Sequence, residues 1–136
     1  MILLLRCIFM CTLIFTFFMP WYNAFGAKDV NGFTIPIWEE ISIFFFLYLT
    51  PIFSTISMYR MIIGRNPGIF YLLSGIPNVC FWLLLFLTDN LYAPWKYSYL
   101  GGKVGLFVSI LVIVTYFIPF SVQNARKITH AKKKDM

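Results

Sequence analysis

Residues 69–88 read IFYLLSGIPNVCFWLLLFLT, a run of twenty residues without one charged side chain. The hydrocarbon core of a bilayer is crossed by a helix of about 20 apolar residues. Three further runs that are largely apolar and of similar length occupy residues 2–20, 37–58 and 103–120. The sequence therefore predicts four membrane-spanning segments joined by short loops.

The composition of the whole chain favours lipid as its surroundings. Of the 136 residues, 60% are hydrophobic and only 12% are charged, whereas charged residues make up about 25% of a typical soluble domain. A soluble chain of this length buries only about two-thirds of its surface, so it would leave much apolar area in water. We therefore expect an integral membrane protein and exclude a soluble enzyme, a disordered tail and a coiled coil.

Each spanning segment is expected to be an α-helix, because lipid offers no hydrogen-bond partners to an open backbone. The consecutive phenylalanines 44–46 do not alternate with polar residues, as they would in a barrel strand. The predicted fold is all-α, a small antiparallel bundle of four transmembrane helices within residues 1–121. Residues 122–136 are expected to form a basic cytoplasmic tail.

Helix-end signals flank these segments. Thr34, followed closely by a proline, is expected to cap the second helix, and Asn66 is expected to cap the third. Turns are expected at Asn31-Gly32 and at the glycine pair Gly101-Gly102, before the second and fourth helices.

The basic residues predict the orientation. With four spans both termini share one side, and that side carries eight of the eleven Lys and Arg residues. Because short cytoplasmic loops are enriched in Lys and Arg, both termini are expected in the cytoplasm. The simple loops suit a bacterial plasma membrane. Apart from Arg6, these residues are expected to contact anionic lipid: Arg60, Arg65, Arg126, Lys127, Lys132, Lys133 and Lys134.

Two interpretations of the first segment stay open. Arg6 followed by an apolar run that ends at Ala24-Phe25-Gly26 partly fits a cleaved signal peptide. The run is long for that role, and the proline, tryptophan and tyrosine at 20–22 are typical of the interfacial end of a retained helix. Arg6 itself lies one turn inside the segment, where a long side chain can extend to the interface.

The two predicted outer loops are rich in aromatic residues. Tyr and Trp collect at headgroup depth, so these residues fit an aromatic belt. They also fit an ordered outer platform that contacts a partner. The residues in question are Trp21, Tyr22, Trp38, Tyr92, Trp95 and Tyr97.

The interiors of the predicted helices are polar only through neutral groups. Their central thirds contain no Asp, Glu, Lys, Arg or His, which disfavours proton-coupled transport. No catalytic motif occurs, and the three cysteines have no metal-ligand spacing, so neither catalysis nor a cofactor is expected. The remaining neutral groups predict helix packing or a neutral pocket: Thr50, Ser54, Ser74, Gly75, Pro77 and Asn78.

These observations favour a non-enzymatic membrane protein that recognises another membrane component, as an accessory or assembly subunit or an immunity-type protein. Its expected partners are the bilayer and either another membrane protein or further copies of itself, and nucleic acid is not expected. An oligomeric channel or transporter for ions or small solutes is the alternative, followed by a pore former of the holin type.

Overall fold

The computed structural model describes residues 2–24, 28–38, 42–87, 96 and 98–118 of the chain, and this part is mostly helical. The regular structure of the described residues includes five α-helices, a 3-10 helix and a short antiparallel hairpin. The helices are α1 (Ile2–Phe18), α2 (Ile35–Trp38), α3 (Leu49–Ile62), α4 (Ile69–Leu87) and α5 (Leu100–Tyr116). A 3-10 helix, Ser42–Tyr48, leads directly into α3, and the hairpin strands are β1 (Tyr22–Ala24) and β2 (Lys28–Val30).

Two helical segments have the length and composition needed to cross a membrane. They are Phe44–Ile62, which combines most of the 3-10 helix with α3, and α4, each 19 residues long. α1 and α5 are also apolar but shorter, at 17 residues each. Two of the four predicted spans thus match a membrane-crossing helix by length and hydropathy.

The four longer helices pack in neighbouring pairs. α1 and α4 each pack against both α3 and α5. Near its beginning, α1 reaches the end of α5, because Arg6 bonds to the backbone of Thr115. Tyr71, in the first turn of α4, also bonds to Thr115. The starts of α1 and α4 and the end of α5 therefore lie at one end of the packed helices.

The buried apolar residues form two clusters. One cluster joins the hairpin to the ends of the helices beside it and includes Trp21, Phe81 and Trp82. The other lies between α1, α3, α4 and α5 and includes Met10, Met61 and Val112. Both clusters draw on α1, which makes the first helix part of the core.

The turn before α2 is built by Asn31. Its side-chain oxygen accepts hydrogen bonds from the backbone N–H groups of Phe33 (3.0 Å) and Thr34 (2.9 Å). The expectation that Thr34 caps the second span was wrong: its hydroxyl accepts the backbone N–H of Asn31 at 2.9 Å. Asn side chains commonly form such local turns with the backbone two residues on.

The loop between α3 and α4 follows the predicted pattern more closely. The side-chain oxygen of Asn66 accepts the backbone N–H of Gly68 at 2.9 Å, immediately before α4 begins. Gly64 and Gly68 have φ values of 72° and 58°, a conformation that residues with a Cβ rarely adopt. These two glycines therefore allow the tight reversal between the helices.

The glycine pair Gly101-Gly102 does not form the expected turn and instead lies in the first turn of α5. A Cβ on Gly101 would lie 2.6 Å from the backbone oxygen of Pro20, and one on Gly102 would lie 2.9 Å from the Trp82 ring. The pair therefore lets α5 approach both the segment that follows α1 and the Trp82 ring of α4. Spacing along the chain carries no information on such an approach.

Candidate functional site

Seven neutral polar side chains are buried among the four longer helices, and we call this set the polar seam. Ser54, Ser57, Ser74 and Ser109 are completely inaccessible, and the other members are at most 4% exposed. The set combines one residue of α1, three of α3, two of α4 and one of α5: Thr16, Thr50, Ser54, Ser57, Ser74, Asn78 and Ser109.

The crossing of α4 and α5 contains the hydrogen-bonded part of the seam. The Asn78 side-chain amide donates to the Ser109 hydroxyl at 3.0 Å, and that hydroxyl donates to the backbone oxygen of Gly105 at 2.8 Å. Gly75 lies at the same crossing, where a Cβ would be 2.8 Å from the backbone oxygen of Ser109. Small residues let the two backbones approach, and the approach brings the Asn78 amide to its partner.

Other predicted packing residues of α4 are also buried. Ser74 donates to the backbone oxygen of Tyr71 at 2.7 Å and contacts the Met10 sulfur of α1 at 3.4 Å. Pro77 is buried within the helix. The structure thus buries Ser74, Gly75, Pro77 and Asn78 on α4, with Ser74 against α1 and with Gly75 and Asn78 against α5.

The hydroxyl groups that α3 contributes to the polar seam differ in their hydrogen bonding from the other hydroxyl groups of the helices. Thr55, on the exposed side of α3, donates to the backbone oxygen of Pro51 at 2.8 Å, one turn earlier. The hydroxyls of Thr50, Ser54 and Ser57 are buried and have no hydrogen-bond partner among the described residues. These three residues share one face of α3 because they are spaced by four and three positions.

Arg6 does not extend to the surface as a lipid-facing arginine would. It is only 3% exposed, and its guanidinium donates to the backbone oxygens of Thr115 (2.6 Å) and Ile118 (2.7 Å). It also lies 4.9 Å above the ring of Tyr71, whose hydroxyl hydrogen-bonds the Thr115 side chain at 2.8 Å. The last carbonyls of a helix lack partners within the helix and carry partial negative charge, so they offer a cation good acceptors.

The opposite end of the helices is closed by aromatic rings. Trp21 is 1% exposed, and its indole N–H donates to the backbone oxygen of Thr16 at 2.7 Å. Its ring packs against Phe81 and Trp82 with centroids 5.5 and 6.4 Å away. Tyr22 is also buried. The expectation that Trp21 and Tyr22 face a partner at the surface is corrected, because both rings fill the core.

Backbone pairing fixes the hairpin over this aromatic cluster. The Trp21 N–H donates to the Val30 oxygen and the Tyr99 N–H donates to the Trp21 oxygen, both at 2.7 Å. The Tyr99 hydroxyl adds a 2.9 Å bond to the Asp29 carboxylate. Of the other predicted aromatic contacts, the Trp38 side chain, Tyr92, Trp95 and Tyr97 lie outside the described part of the structure.

The predicted lipid-contacting arginines lie around the loop between α3 and α4. Arg60 donates to the backbone oxygen of Asn66 at 3.0 Å and lies 5.4 Å above the Phe70 ring. Arg65 is exposed. The remaining predicted contacts fall in the tail, outside the described residues: Arg126, Lys127, Lys132, Lys133 and Lys134.

The polar seam consists of Ser, Thr and Asn side chains and includes no His, Cys, Asp or Glu. Among the described residues there is no group of three or more His, Cys, Asp or Glu side chains that could hold a metal ion. Comparison with known protein families, with curated proteins and with solved structures finds no match for the chain. Its function is therefore inferred from the residues and their geometry.

Proposed function

We propose that this chain is an integral membrane protein whose α1, α3, α4 and α5 all cross the bilayer as a four-helix bundle. In this proposal both termini are cytoplasmic, the membrane is a bacterial plasma membrane, and the protein acts without catalysis. It binds another membrane protein, as an accessory, assembly or immunity-type subunit, through surfaces within the membrane and at its outer end.

The distribution of side chains supports four spans. Large apolar side chains are exposed on all four helices, among them Phe15 on α1, Ile52 on α3, Leu87 on α4 and Phe107 on α5. The polar seam lies inside. A water-soluble protein rarely exposes so many large apolar side chains, whereas a membrane protein packs them against lipid. A helix of 17 residues is about 26 Å long, at the short end of what spans the hydrocarbon.

Charge supports the orientation. Arg6 and Arg60 belong to the end at which α1 begins and α3 ends, and Arg65 lies in the adjoining loop. In the sequence the basic tail follows α5, which ends on that same side. Lys and Arg concentrate on cytoplasmic surfaces, so this end is assigned to the cytoplasm. The hairpin, with Asp29, then faces outward.

The packing of aromatic rings at the outer end supports the proposal that this protein binds a partner and does not conduct ions or solutes. The buried rings of Phe17, Trp21, Phe81 and Trp82 fill that end, and the seam below them contains only neutral groups. Transport of protons through helices normally relies on titratable groups at depth. Arg6 lies near the cytoplasmic end, and its guanidinium is bonded to the carbonyls of Thr115, in the last turn of α5, and of Ile118, just beyond the helix. In a single chain built in this way, a partner is bound by the exposed surfaces within the membrane and at the outer end.

Site-specific photocrosslinking in native membranes tests partner binding. A photoreactive phenylalanine analogue would replace Phe15, Phe86 or Phe107, which are 64%, 61% and 62% exposed on three different helices. Phe81, which is fully buried, is the matched control position. The proposal predicts an adduct with one other protein from at least one exposed position and none from Phe81. That protein should also co-purify in mild detergent.

Adducts only with lipid or with the same chain, and no co-purifying protein, would contradict the partner proposal. Ion or solute flux in liposomes reconstituted with the protein alone would instead favour an oligomeric channel or transporter. The spans are tested separately by labelling single cysteines placed at Asp29 and Lys134 in intact cells. Labelling at Asp29 and protection at Lys134 are expected, and the reverse pattern would overturn the orientation.

A further inference from the structure

Three buried hydroxyl groups of the polar seam follow one another along α3, and we call Thr50, Ser54 and Ser57 the α3 hydroxyl row. Their spacing of four and three residues places them on one face of the helix. Ser54 and Ser57 are completely inaccessible, and Thr50 is 3% exposed. Among the described residues, none of the three hydroxyl oxygens has a hydrogen-bond partner. The row therefore holds groups that are shielded from bulk water although each can donate and accept hydrogen bonds.

Hydroxyl groups elsewhere in the helices are bonded to their own backbone. Thr12, Thr16, Thr55, Ser109 and Thr115 each donate to the carbonyl oxygen four residues earlier, at 2.7–2.9 Å. A Ser or Thr side chain inside a helix is commonly bonded in this way. The α3 hydroxyl row does not make these bonds, so its partners have to come from outside α3.

We propose that the α3 hydroxyl row binds ordered water molecules inside the helix bundle. A buried polar group without a partner keeps the full free-energy cost of its desolvation, and a bound water that makes about three hydrogen bonds removes this cost. Folded proteins hold one buried water per about 27 residues, which corresponds to about five in a chain of 136 residues. This site goes beyond the proposed partner binding and does not rest on it.

The chemistry of the row selects water over a metal cation. Hydroxyl groups both donate and accept hydrogen bonds, as water does, whereas the cations that proteins bind prefer carboxylate, imidazole or thiolate ligands, which the row lacks. Along the helical segment, buried apolar side chains bound the row: Leu47 precedes Thr50 and Met61 follows Ser57 by one turn. The polar groups are thus confined to a short stretch with apolar residues at both ends.

The neighbouring helix supplies a further acceptor. The Asn78 amide nitrogen donates to Ser109, but the Asn78 side-chain oxygen is buried and has no partner among the described residues. α3 packs against α4, and Leu49 and Pro77 line one groove between them. Since these two residues adjoin Thr50 and Asn78 in the chain, the unbonded groups of Thr50 and Asn78 lie at a similar depth. We assign the Asn78 oxygen as the acceptor for water at the Thr50 end of the row.

X-ray radiolytic labelling of the full chain in detergent tests the site. A brief X-ray pulse splits water into hydroxyl radicals that oxidise adjacent side chains, and mass spectrometry locates the added oxygen. Met61 is the reporter, because it lies on the same face as Ser57 and is only 2% exposed to bulk solvent. With catalase present to remove peroxide, Met61 should be oxidised in the wild type. The double variant Ser54→Ala and Ser57→Ala should lose most of this oxidation.

Thr55→Ala is the matched control, because it removes a hydroxyl of the same helix that already donates to the Pro51 oxygen. It should leave Met61 oxidation at the wild-type level. Absence of Met61 oxidation in the wild type would overturn the proposal. Equal oxidation in the wild type and the double variant would overturn it as well, because the hydroxyl groups would then not be the ones that bind water.

The free energy of unfolding gives a second readout that does not depend on the labelling yield. Removing a hydroxyl that lacks any partner should stabilise the fold, whereas removing one that is bonded to water should destabilise it. Ser57→Ala alone is therefore expected to be less stable than the wild type in detergent, as followed by tryptophan fluorescence. A gain in stability for Ser57→Ala would contradict bound water at this position.

Discussion

The Arg6 guanidinium donates a 2.6 Å hydrogen bond to the backbone oxygen of Thr115, which joins the start of the first helix to the end of the last. These residues are 109 positions apart in the chain. The Thr115 oxygen belongs to the last turn of α5 and also accepts the backbone N–H of Ile118 at 3.2 Å, just beyond the helix. The bond therefore stabilises two termini at once, the entry of α1 and the exit of α5.

Replacement of Arg6 tests this relationship. Arg6→Leu should lower the free energy of unfolding in detergent by about 1.5–3 kcal/mol, the range for a hydrogen bond to a charged group. Arg6→Lys should lose less, because an ammonium group retains the charge and can donate to one carbonyl. Unfolding by titration with a denaturing detergent, followed by tryptophan fluorescence, gives the measurement.

The control for Arg6 is Arg65→Leu, which removes an exposed charge from the loop between α3 and α4. Its effect should stay within about 0.5 kcal/mol, as is usual at exposed positions. Equal losses in the free energy of unfolding for Arg6→Leu and Arg65→Leu would show that the buried hydrogen bonds of Arg6 do not stabilise the fold.

The amide of Asn78 makes the second testable contact. Asn78→Leu removes its bond to Ser109 and should lower stability by about 0.6–2 kcal/mol, the range for polar contacts between transmembrane helices. Combining it with Ser109→Ala in a double-mutant cycle isolates the contact, and the two changes should be less than additive. Strict additivity in the same unfolding assay would show that the bond contributes nothing to the packing of α4 on α5.

Much of the helical fold follows from local patterns. The uncharged and largely apolar run at 69–88 predicts a helix, and α4 spans Ile69–Leu87. Asn66 was expected at the start of this helix, and its side chain does form the turn that precedes it. Length, apolarity and turn chemistry act over a few residues, so the sequence carries them directly.

The hairpin depends on contacts between distant parts of the chain. The position of Gly101 and Gly102 inside α5 depends on such contacts as well. β1 and β2 are three residues each and pair beside Ser98, far away in the sequence. The aromatic residue Trp21 fits a headgroup belt by composition, yet it is buried because the hairpin and Trp82 cover it. Similarly, the acceptors for Arg6 lie on another helix, and one helix alone cannot reveal them.

At the crossing of α4 and α5, Gly75 lies against backbone, whereas Gly105 lies against side chains. A Cβ on Gly75 would meet the Ser109 backbone oxygen at 2.8 Å, whereas one on Gly105 would meet the Asn78 amide nitrogen at 3.1 Å. Alanine gains about 1 kcal/mol over glycine in helix propensity, and overpacking costs typically 1–3 kcal/mol. Gly75→Ala should therefore be net destabilising, because the helices must move apart to accept it.

Gly105→Ala is the matched comparison on the facing helix. The atoms around it, the Asn78 amide and the Thr16 hydroxyl, belong to side chains that can shift by a few tenths of an ångström. Its unfolding free energy should fall less than that of Gly75→Ala, or rise. A larger loss in Gly105→Ala than in Gly75→Ala would contradict the assignment of the closest backbone approach to Gly75.

The packing of α1 predicts that the first helix is retained in the folded protein. Met10, Leu13 and Phe17 are at most 2% exposed; the first two belong to one apolar cluster and Phe17 belongs to the other. Cleavage near residues 24–26 would remove them together with the Arg6 bonds, and would uncover the sides of α3 and α5 that α1 covers. Burial of one such side chain is worth about 1.5–3 kcal/mol, so the remainder would lose much of its stability.

Intact-mass spectrometry of the protein extracted from native membranes measures the outcome. The mass should include residues 2–24, and Ala24→Leu, which blocks recognition of small residues at a signal-peptide cleavage site, should leave the processing unchanged. A chain that starts at residue 27 should fail to accumulate as a folded protein, because the surfaces of α3 and α5 then lack their partner. Recovery of a stable species that begins between residues 25 and 27 would show instead that the α1 contacts are dispensable after insertion.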